Sequence, residues 1–118
     1  MDEILLGIDI GTSACKAAAF DPAGRVLAQT AESYPVSYPR PGWAEQDPLD
    51  WWHASCETLQ SVIGQSGVDP RDIKGLGISG QMHGLVMLDK QGQVLRRSLP
   101  WCDQRTATQW EEIPQRVG

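Results

Sequence analysis

Three apolar segments separated by two tight connections lie in residues 4–32, whose sequence is ILLGIDIGTSACKAAAFDPAGRVLAQTAE. Residues 4–10 are a short, partly β-branched run, which is typical of a buried strand. Residues 15–20 and 25–32 predict two more strands. Residues 21–24, Asp-Pro-Ala-Gly, lie between these two segments and have the proline and glycine typical of a turn. Because the connections are so short, the three strands are predicted to form an antiparallel meander.

A proline-rich loop and a helix are predicted after the meander. Residues 34–46 contain three prolines and a glycine, which indicates an extended loop. Asp47 and Pro48 then suit the N-cap and first position of a helix that ends near Gly64. Four apolar side chains share one face of this helix at helical spacing: Trp52, Cys56, Leu59 and Ile63.

Further strands and a last helix are predicted in the second half. Asp69-Pro70 begins a short helical turn, and residues 73–79 and 84–88 have the pattern of strands. The last helix begins at about Thr106. The crossover helix would return residues 73–79 parallel to the first strand, so the predicted fold class is α/β.

Length, composition and charge restrict the function classes. The 118 residues suit one small domain, and 41% hydrophobic with 21% charged residues argues against disorder. A net charge of −5 disfavours a nucleic-acid partner. No apolar run approaches the roughly 20 residues of a membrane span, and the acidic start Met1-Asp2-Glu3 is unlike a signal peptide. A cytoplasmic protein without a membrane partner is therefore expected.

Asp9 and the turn that follows it are the first candidate site. Asp9 lies in an apolar strand and precedes Gly11-Thr12-Ser13, whose N–H groups and hydroxyls can cradle phosphate oxygens. The carboxylate is predicted to be buried, and it could hold a hydrated Mg²⁺. Equally, it could cap the turn by accepting N–H bonds. The local pattern supports the magnesium site and the turn cap equally.

A second candidate is the segment Gly80-Gln81-Met82-His83-Gly84, which follows a predicted strand. Open α/β sheets bind ligands at the carboxyl ends of their strands, and His83 could exchange a hydrogen bond with a substrate hydroxyl. Taken alone, the pattern favours a structural histidine in a glycine-containing turn.

A third candidate is Trp101-Cys102-Asp103-Gln104-Arg105. Asp103 and Arg105 could form an ion pair or bind hydroxyl groups, and Trp101 could pack on the carbon face of a sugar. The alternative is a helix start with Asp103 as N-cap and Trp101 as hydrophobic anchor.

Taken together, these segments resemble the FGGY family of carbohydrate kinases. Residues 8–13, IDIGTS, resemble the first phosphate motif of that family, and residues 45–52, EQDPLDWW, resemble the segment leading into its first long helix. Residues 78–84, ISGQMHG, are similar to the sugar-recognition loop of its xylulose kinases. Residues 101–105 resemble its Trp-x-Asp-x-Arg segment. The four motifs occur in order over nearly the whole chain.

The resemblance implies an actin/hexokinase-like (ribonuclease H-like) fold and ATP-dependent phosphorylation of D-xylulose at its 5-hydroxyl. Other sugars and polyols of the family, namely ribulose, glycerol and gluconate, are the alternative substrates. The implied nucleotide and Mg²⁺ side contains Asp9 (holding the metal through water), Gly11, Thr12 and Ser13. The implied sugar side contains Met82, His83, Trp101 and Asp103.

The resemblance also implies that much of the active site is formed by residues outside these 118. Family members are several times longer, and their catalytic Asp and adenosine-binding loops lie in later segments. Residues 1–118 are therefore expected to be the N-terminal portion of the first domain, without the second domain and inactive alone. Uncovered surfaces would favour a homo-oligomer. A non-catalytic sugar- or nucleotide-binding module is the alternative class of function.

Overall fold

The structure is a computed structural model that describes residues 3–118. Its elements in chain order are β1 (Ile4–Ile10), β2 (Ala14–Phe20), β3 (Val26–Ser33), α1 (Pro48–Ser66), a 3₁₀ turn (Pro70–Asp72), β4 (Ile73–Gly80) and α2 (Ala107–Val117). Met1 and Asp2, from which part of the cytoplasmic expectation was drawn, lie outside the described residues.

The four strands form one sheet in the order β3-β2-β1-β4. β2 pairs antiparallel with both β1 and β3, whereas β4 pairs parallel with β1. These pairings confirm the predicted meander and the predicted parallel return strand. Because β1 and β4 run in the same direction, the segments that follow Ile10 and Gly80 emerge at the same edge of the sheet.

The core lies between α1 and one face of the sheet. Along β1 the side chains alternate, so that Ile4, Leu6 and Ile8 are buried while Leu5 and Asp9 are exposed. β2 contributes small residues to the same core, namely Cys15, Ala17 and Ala19. Small side chains allow α1 to approach the sheet closely.

Local capping chemistry determines where α1 begins. The Asp47 side chain accepts a hydrogen bond from the Leu49 N–H at 3.0 Å, as the sequence predicts for an N-cap followed by Pro48. The predicted end near Gly64 is too early. The helix continues to Ser66 and ends where Gly67 takes a left-handed conformation with φ 70°.

The prediction of which face of α1 is buried is only partly right, because Leu59 and Ile63 pack against the core as partly buried residues. Trp52 is 65% exposed, and the buried residues of the helix are Ala54, Ser55, Thr58 and Val62. Apolar periodicity misses this face because two of its members carry hydroxyls. Ser55 donates to the Trp51 carbonyl and Thr58 to the Ala54 carbonyl, which removes the cost of burying them.

The predicted strand over residues 84–88 is also wrong. Within this segment only isolated bridges form, from Leu85 to Leu99 and from Leu88 to Val94. Leu85 is 68% exposed and Leu88 54%. Without an adjacent strand to continue the ladder, the apolar run forms a loosely paired hairpin around the turn at residues 89–92.

The last helix, α2, begins one residue after Thr106, close to the predicted position. Asp103 is not its N-cap, so the alternative interpretation of that residue as a helix start is wrong. None of the residues of α2 is buried. No helix within residues 3–118 combines the length and apolarity needed to cross a bilayer.

Candidate functional site

The turn at Gly11, Thr12 and Ser13, called here the 11–13 turn, joins β1 to β2. It is closed by the Gly11 N–H, which donates to the Ala14 carbonyl at 3.0 Å. A Cβ added at Gly11 would lie 3.1 Å from that same carbonyl oxygen, a tight approach that favours glycine here. The turn therefore has a defined backbone shape before any ligand binds.

Tyr34 anchors the 11–13 turn from behind. Its hydroxyl donates to the Gly11 carbonyl, and its backbone N–H donates to the Ser13 carbonyl at 3.2 Å. Burial raises the pKa of the Tyr34 hydroxyl to about 12, so the hydroxyl stays a donor throughout the neutral range. With two of its carbonyls used by Tyr34, the turn is held to the body of the protein.

Asp9 lies at the end of β1 on the face of the sheet opposite α1. The prediction that it is buried is wrong, because its alternating position in the strand makes it exposed. Lys16 is its register partner on β2. Within residues 3–118 the carboxylate accepts no hydrogen bond from the turn that follows, which is contrary to the capping interpretation.

An open depression of about 790 Å³ lies on this uncovered face. It contains Asp9 and Lys16 together with small or apolar residues of all four strands, among them Gly7, Ala18 and Gly77. A single exposed carboxylate fits a hydrated Mg²⁺, which keeps most of its waters. Among the described residues, no group of three His, Cys, Asp or Glu side chains forms a metal cluster.

The loop at residues 80–84, called here the 80–84 loop, lies beside the 11–13 turn. The Gln81 N–H donates to the Ile10 carbonyl at 2.9 Å, which continues the pairing of β1 with β4. A Cβ at Gly80 would lie 3.1 Å from the Ile10 oxygen, so this close approach also favours glycine. The two candidate segments are thus adjacent through backbone contacts.

His83 has a left-handed backbone conformation, with φ 67°. A non-glycine residue in this region is uncommon, and such positions concentrate at functional sites. The His83 side chain is exposed, as is Met82 at 72%. The loop therefore presents both predicted sugar-side residues to solvent near the 11–13 turn.

Trp101 joins the 11–13 turn through its side chain. Its indole N–H donates to the Thr12 hydroxyl at 2.8 Å, across 89 positions of sequence. The ring itself is 60% exposed. The structure therefore places Trp101 beside a predicted nucleotide-side residue and leaves an aromatic surface free.

Asp103 has a different environment from the other predicted sugar-side residues, because its carboxylate is buried and already bonded. It accepts from the Ala44 N–H at 2.8 Å and from Arg105 Nε at 3.0 Å. Burial acts to raise the pKa of the Asp103 carboxyl, but these hydrogen bonds and the Arg105 charge outweigh it, so the pKa is lowered overall. Asp103 attaches the 101–105 segment to the proline-rich loop.

Arg105 extends this attachment. It forms ion pairs with Asp103 and Glu45, each at 3.0 Å, and its guanidinium lies 3.8 Å from the centre of the Trp43 ring. Burial acts to lower the pKa of Arg105, and its two carboxylate partners raise it above the ordinary value. Arg105 stays charged, and the stacking and ion pairing hold Trp43 in place.

Two residues of the site were not identified as functional from the sequence: Gln46 and Gln81. Gln46 is 1% exposed, and its side-chain N–H donates to the Thr12 carbonyl at 2.7 Å. Gln81 donates to the Gln46 side-chain oxygen at 2.8 Å. Both lie in quoted motifs, but no local pattern shows that two amides so distant in sequence meet.

The family profile for the N-terminal domain of the FGGY family of carbohydrate kinases matches residues 4–118. The chain belongs to this family. Its fold is the actin/hexokinase-like α/β fold of FGGY kinases, and the crystal structure of a xylulose kinase from Rhodospirillum rubrum superposes with a TM-score of 0.89. That comparison has 29% sequence identity and covers 98% of this chain and 24% of the other.

Curated relatives of this FGGY chain include xylulose kinases and glycerol kinases. The xylulose kinase of Bacillus subtilis is 41% identical over 114 residues, which is 97% of this chain and 23% of that protein. The glycerol kinase of Thermococcus onnurineus is 34% identical over 113 residues, 96% of this chain and 23% of that protein. The chain thus spans about a quarter of the length of the curated relatives it matches.

Proposed function

We propose that this FGGY chain acts as the N-terminal part of a xylulose kinase, which transfers the γ-phosphoryl group of ATP to the 5-hydroxyl of D-xylulose. The observation that carries the proposal is the hydrogen bond from the Trp101 indole to the Thr12 hydroxyl at 2.8 Å. This hydrogen bond joins Trp101, which the resemblance assigns to the sugar side, to Thr12, which it assigns to the nucleotide side.

The nucleotide side in this proposal consists of Asp9 and the 11–13 turn. The Thr12 and Ser13 N–H groups would donate to phosphate oxygens, while the Gly11 N–H closes the turn on Ala14 and Tyr34 holds it in place. The exposed Asp9 carboxylate would hold Mg²⁺ through water, and the metal would neutralise charge on the phosphates.

The sugar side in this proposal consists of Met82, His83, Trp101 and Asp103. His83 would exchange a hydrogen bond with a sugar hydroxyl, and the exposed Trp101 ring would pack on the sugar carbons. Because its carboxylate already binds Ala44 and Arg105, Asp103 contributes chiefly by holding the loop that carries Trp101.

The reaction balances as a direct phosphoryl transfer. The bond between the γ-phosphorus and its bridging oxygen breaks, a bond to the sugar oxygen forms, and ADP leaves with the bridging oxygen. The hydroxyl proton passes to a carboxylate that we place outside these 118 residues, by resemblance to the family. The chain alone would bind substrates without turning them over.

Another FGGY substrate is the second candidate function. Glycerol kinases are among the curated relatives, and a crystal structure described as a gluconate kinase from Lactobacillus acidophilus superposes with a TM-score of 0.88 at 27% identity. Met82 and His83 favour xylulose, because the resemblance to xylulose kinases is carried by their loop. A binding module without catalysis is the candidate from a different class.

The test is a coupled ADP-release assay on the whole kinase with ATP and Mg²⁺. D-xylulose should give the highest kcat/KM among xylulose, ribulose, glycerol and gluconate, and the 118-residue chain alone should give none. Preference for another sugar would support the second candidate. Sugar binding by calorimetry without ADP release from the whole protein would support the binding module instead.

We also propose that the isolated chain self-associates and that the kinase is a cytoplasmic protein without nucleic-acid or membrane partners. Leu5 on the uncovered sheet face is 50% exposed, and Ile78, the register partner of Ile8 on the outer strand β4, is 70% exposed. These exposed apolar side chains favour pairing of copies. Sedimentation of the chain should show a dimer or larger species. A monomer at micromolar concentration would contradict this.

A further inference from the structure

We propose that Gln46 and Gln81 are positioning residues that lock the 11–13 turn to the 80–84 loop through a closed ring of hydrogen bonds that passes through Thr12. The inference rests on the proposed function, because it assigns these amides the task of holding the two half-sites in register. It also assigns the Thr12 hydroxyl to the ring instead of to a phosphate.

The ring has three side-chain contacts. Gln46 Nε2 donates to the Thr12 backbone carbonyl at 2.7 Å, and Gln81 Nε2 donates to Gln46 Oε1 at 2.8 Å. The Thr12 hydroxyl donates to Gln81 Oε1 at 3.3 Å, which returns the ring to Thr12. Trp101 adds its indole N–H to the Thr12 hydroxyl at 2.8 Å. The amide nitrogen and the amide oxygen of each glutamine side chain therefore have one hydrogen-bond partner in the ring.

The donor-to-acceptor direction of the hydrogen bonds in the ring follows from the Thr12 carbonyl. A carbonyl oxygen can only accept, so Gln46 must turn its NH₂ group toward Thr12 and its oxygen toward Gln81. Gln81 must then present its own NH₂ group to Gln46 and its oxygen to Thr12. An indole N–H can only donate, so the Thr12 hydroxyl accepts from Trp101 and keeps its one proton for the Gln81 oxygen. The Trp101 contact is therefore compatible with the direction that the Thr12 carbonyl requires.

Burial makes this arrangement costly to change. Gln46 is 1% exposed, and its backbone also exchanges two hydrogen bonds with Ser98, at 2.9 and 2.8 Å. A buried amide without partners is strongly disfavoured, and hydrogen bonds that run in one direction reinforce each other. Movement of the 80–84 loop therefore has to move the 11–13 turn or break the ring.

The consequence for Thr12 is specific. Its only hydroxyl proton is donated to Gln81, so it has none for a phosphate oxygen. The exposed Ser13 carries the remaining hydroxyl of the turn. Thr12 should therefore influence the Trp101 ring and sugar use, and Ser13 should influence the nucleotide.

The first experiment tests the ring without any substrate. The whole kinase is labelled with 5-fluorotryptophan, and the Trp101 ¹⁹F resonance is assigned with Trp101→Phe. Thr12→Val and Gln81→Met should both shift that resonance. Thr12→Ser, which keeps the hydroxyl, and Gln91→Met, which alters an exposed glutamine in the 89–92 turn, should leave it in place. An unmoved resonance in both Thr12→Val and Gln81→Met overturns the ring even if the kinase is active.

The second experiment tests the positioning role by kinetics. Thr12→Val and Gln81→Met should each lower kcat/KM for D-xylulose roughly tenfold. Gln81→Met leaves the oxygen of the buried Gln46 without its donor, and Thr12→Val removes the partner of the part-buried Gln81 oxygen and of the Trp101 indole. The KM for ATP should change less than about twofold, and the double variant should be no worse than the poorer single variant. Thr12→Ser, which keeps the hydroxyl and loses only a methyl group, should keep most of the wild-type activity. If side-chain volume at position 12 caused the loss in Thr12→Val, Thr12→Ser would lose at least as much activity.

Two results would overturn the assignment. If Thr12→Val raises the KM for ATP and Gln81→Met does not, the Thr12 hydroxyl is a phosphate ligand. If the losses of the two variants multiply, the residues act independently and no ring couples them. A wild-type protein without any sugar-dependent ADP release would refute the proposed function, while the ¹⁹F result would still decide whether the ring exists.

Discussion

The two faces of the sheet are made by the same strands and yet have opposite character. On the α1 face, Ile4, Leu6 and Ile8 are buried and pack into one cluster with residues of β2 and α1. On the open face, Leu5 is half-exposed and Asp9 and Lys16 are register partners in the open depression. Adjacent residues of β1 therefore serve stability and the proposed chemistry in alternation.

The difference shows how a strand can carry a charged site without a large loss of stability. The period of two residues separates the faces completely, so Asp9 is never forced into the core that its neighbours Ile8 and Ile10 help to form. The carboxylate keeps its solvent and avoids the penalty of a buried charge. Substitutions on the two faces should therefore affect different measurements.

The largest effect is expected from the α1 face. Ile4→Ala should lower the free energy of unfolding by about 2–5 kcal/mol, because Ile4 is 1% exposed and its truncation leaves a cavity. Leu5→Ala, one residue away on the open face, should cost less than about 1 kcal/mol. Urea unfolding of both variants measures this. Equal losses of unfolding free energy in the two variants would show that another part of the whole kinase covers the open face. The two faces of the sheet would then not differ in their contribution to stability.

The open face should affect turnover instead of stability. Asp9→Asn in the whole kinase should lower kcat by about a hundredfold or more, because the amide holds Mg²⁺ poorly and phosphoryl transfer depends on charge placement. The melting temperature should stay close to that of the wild type. Glu57→Gln, an exposed change on α1, is the matched control. A variant that unfolds while keeping its specific activity would contradict the role given to Asp9.

A smaller effect is expected at the 80–84 loop. His83→Ala should raise the KM for D-xylulose roughly tenfold through the loss of one hydrogen bond, with the KM for ATP nearly unchanged. Because His83 has φ 67°, His83→Asn should keep the backbone shape better and lose less. His53→Ala on the exposed side of α1 is the control. An equal rise in both KM values would place His83 outside the sugar side.

The smallest effect is a pH dependence that originates at Asp103. Its pKa is lowered in the folded protein, so its ion pair and hydrogen bonds stabilise the fold fully above the unfolded pKa of about 3.9. This stabilisation is lost as the pH falls through the lower, folded pKa. Urea unfolding between pH 6 and pH 3 should therefore show a smaller acid-induced loss for Asp103→Asn than for the wild type.

Glu111→Gln, which removes a charge from an exposed side chain of α2, should leave that slope unchanged. Identical slopes for the wild type and Asp103→Asn would show that the carboxylate is not held as the structure describes.

Local chemistry made much of the fold predictable. The Asp21–Gly24 turn and the Asp47-Pro48 start of α1 depend only on neighbouring residues, and both occur as expected. The motif at Gly11 was recognisable because tight backbone closure demands particular residues at fixed spacing. The predicted α1 face was only partly right, because Ser55 and Thr58, whose hydroxyls bond within the helix, are buried core residues that an apolar pattern does not register.

By itself the sequence determined the four strands of the sheet, the start of the crossover helix and the family motifs, because these depend on local backbone chemistry and short spacings. Only the tertiary structure decided that Asp9 is exposed, that the Asp103 carboxylate is buried and bonded to the Ala44 N–H, and that Gln46 and Gln81 meet at Thr12. Such contacts join residues far apart in the chain. Their partners depend on how the sheet, α1 and the loops pack, and no local pattern records that packing.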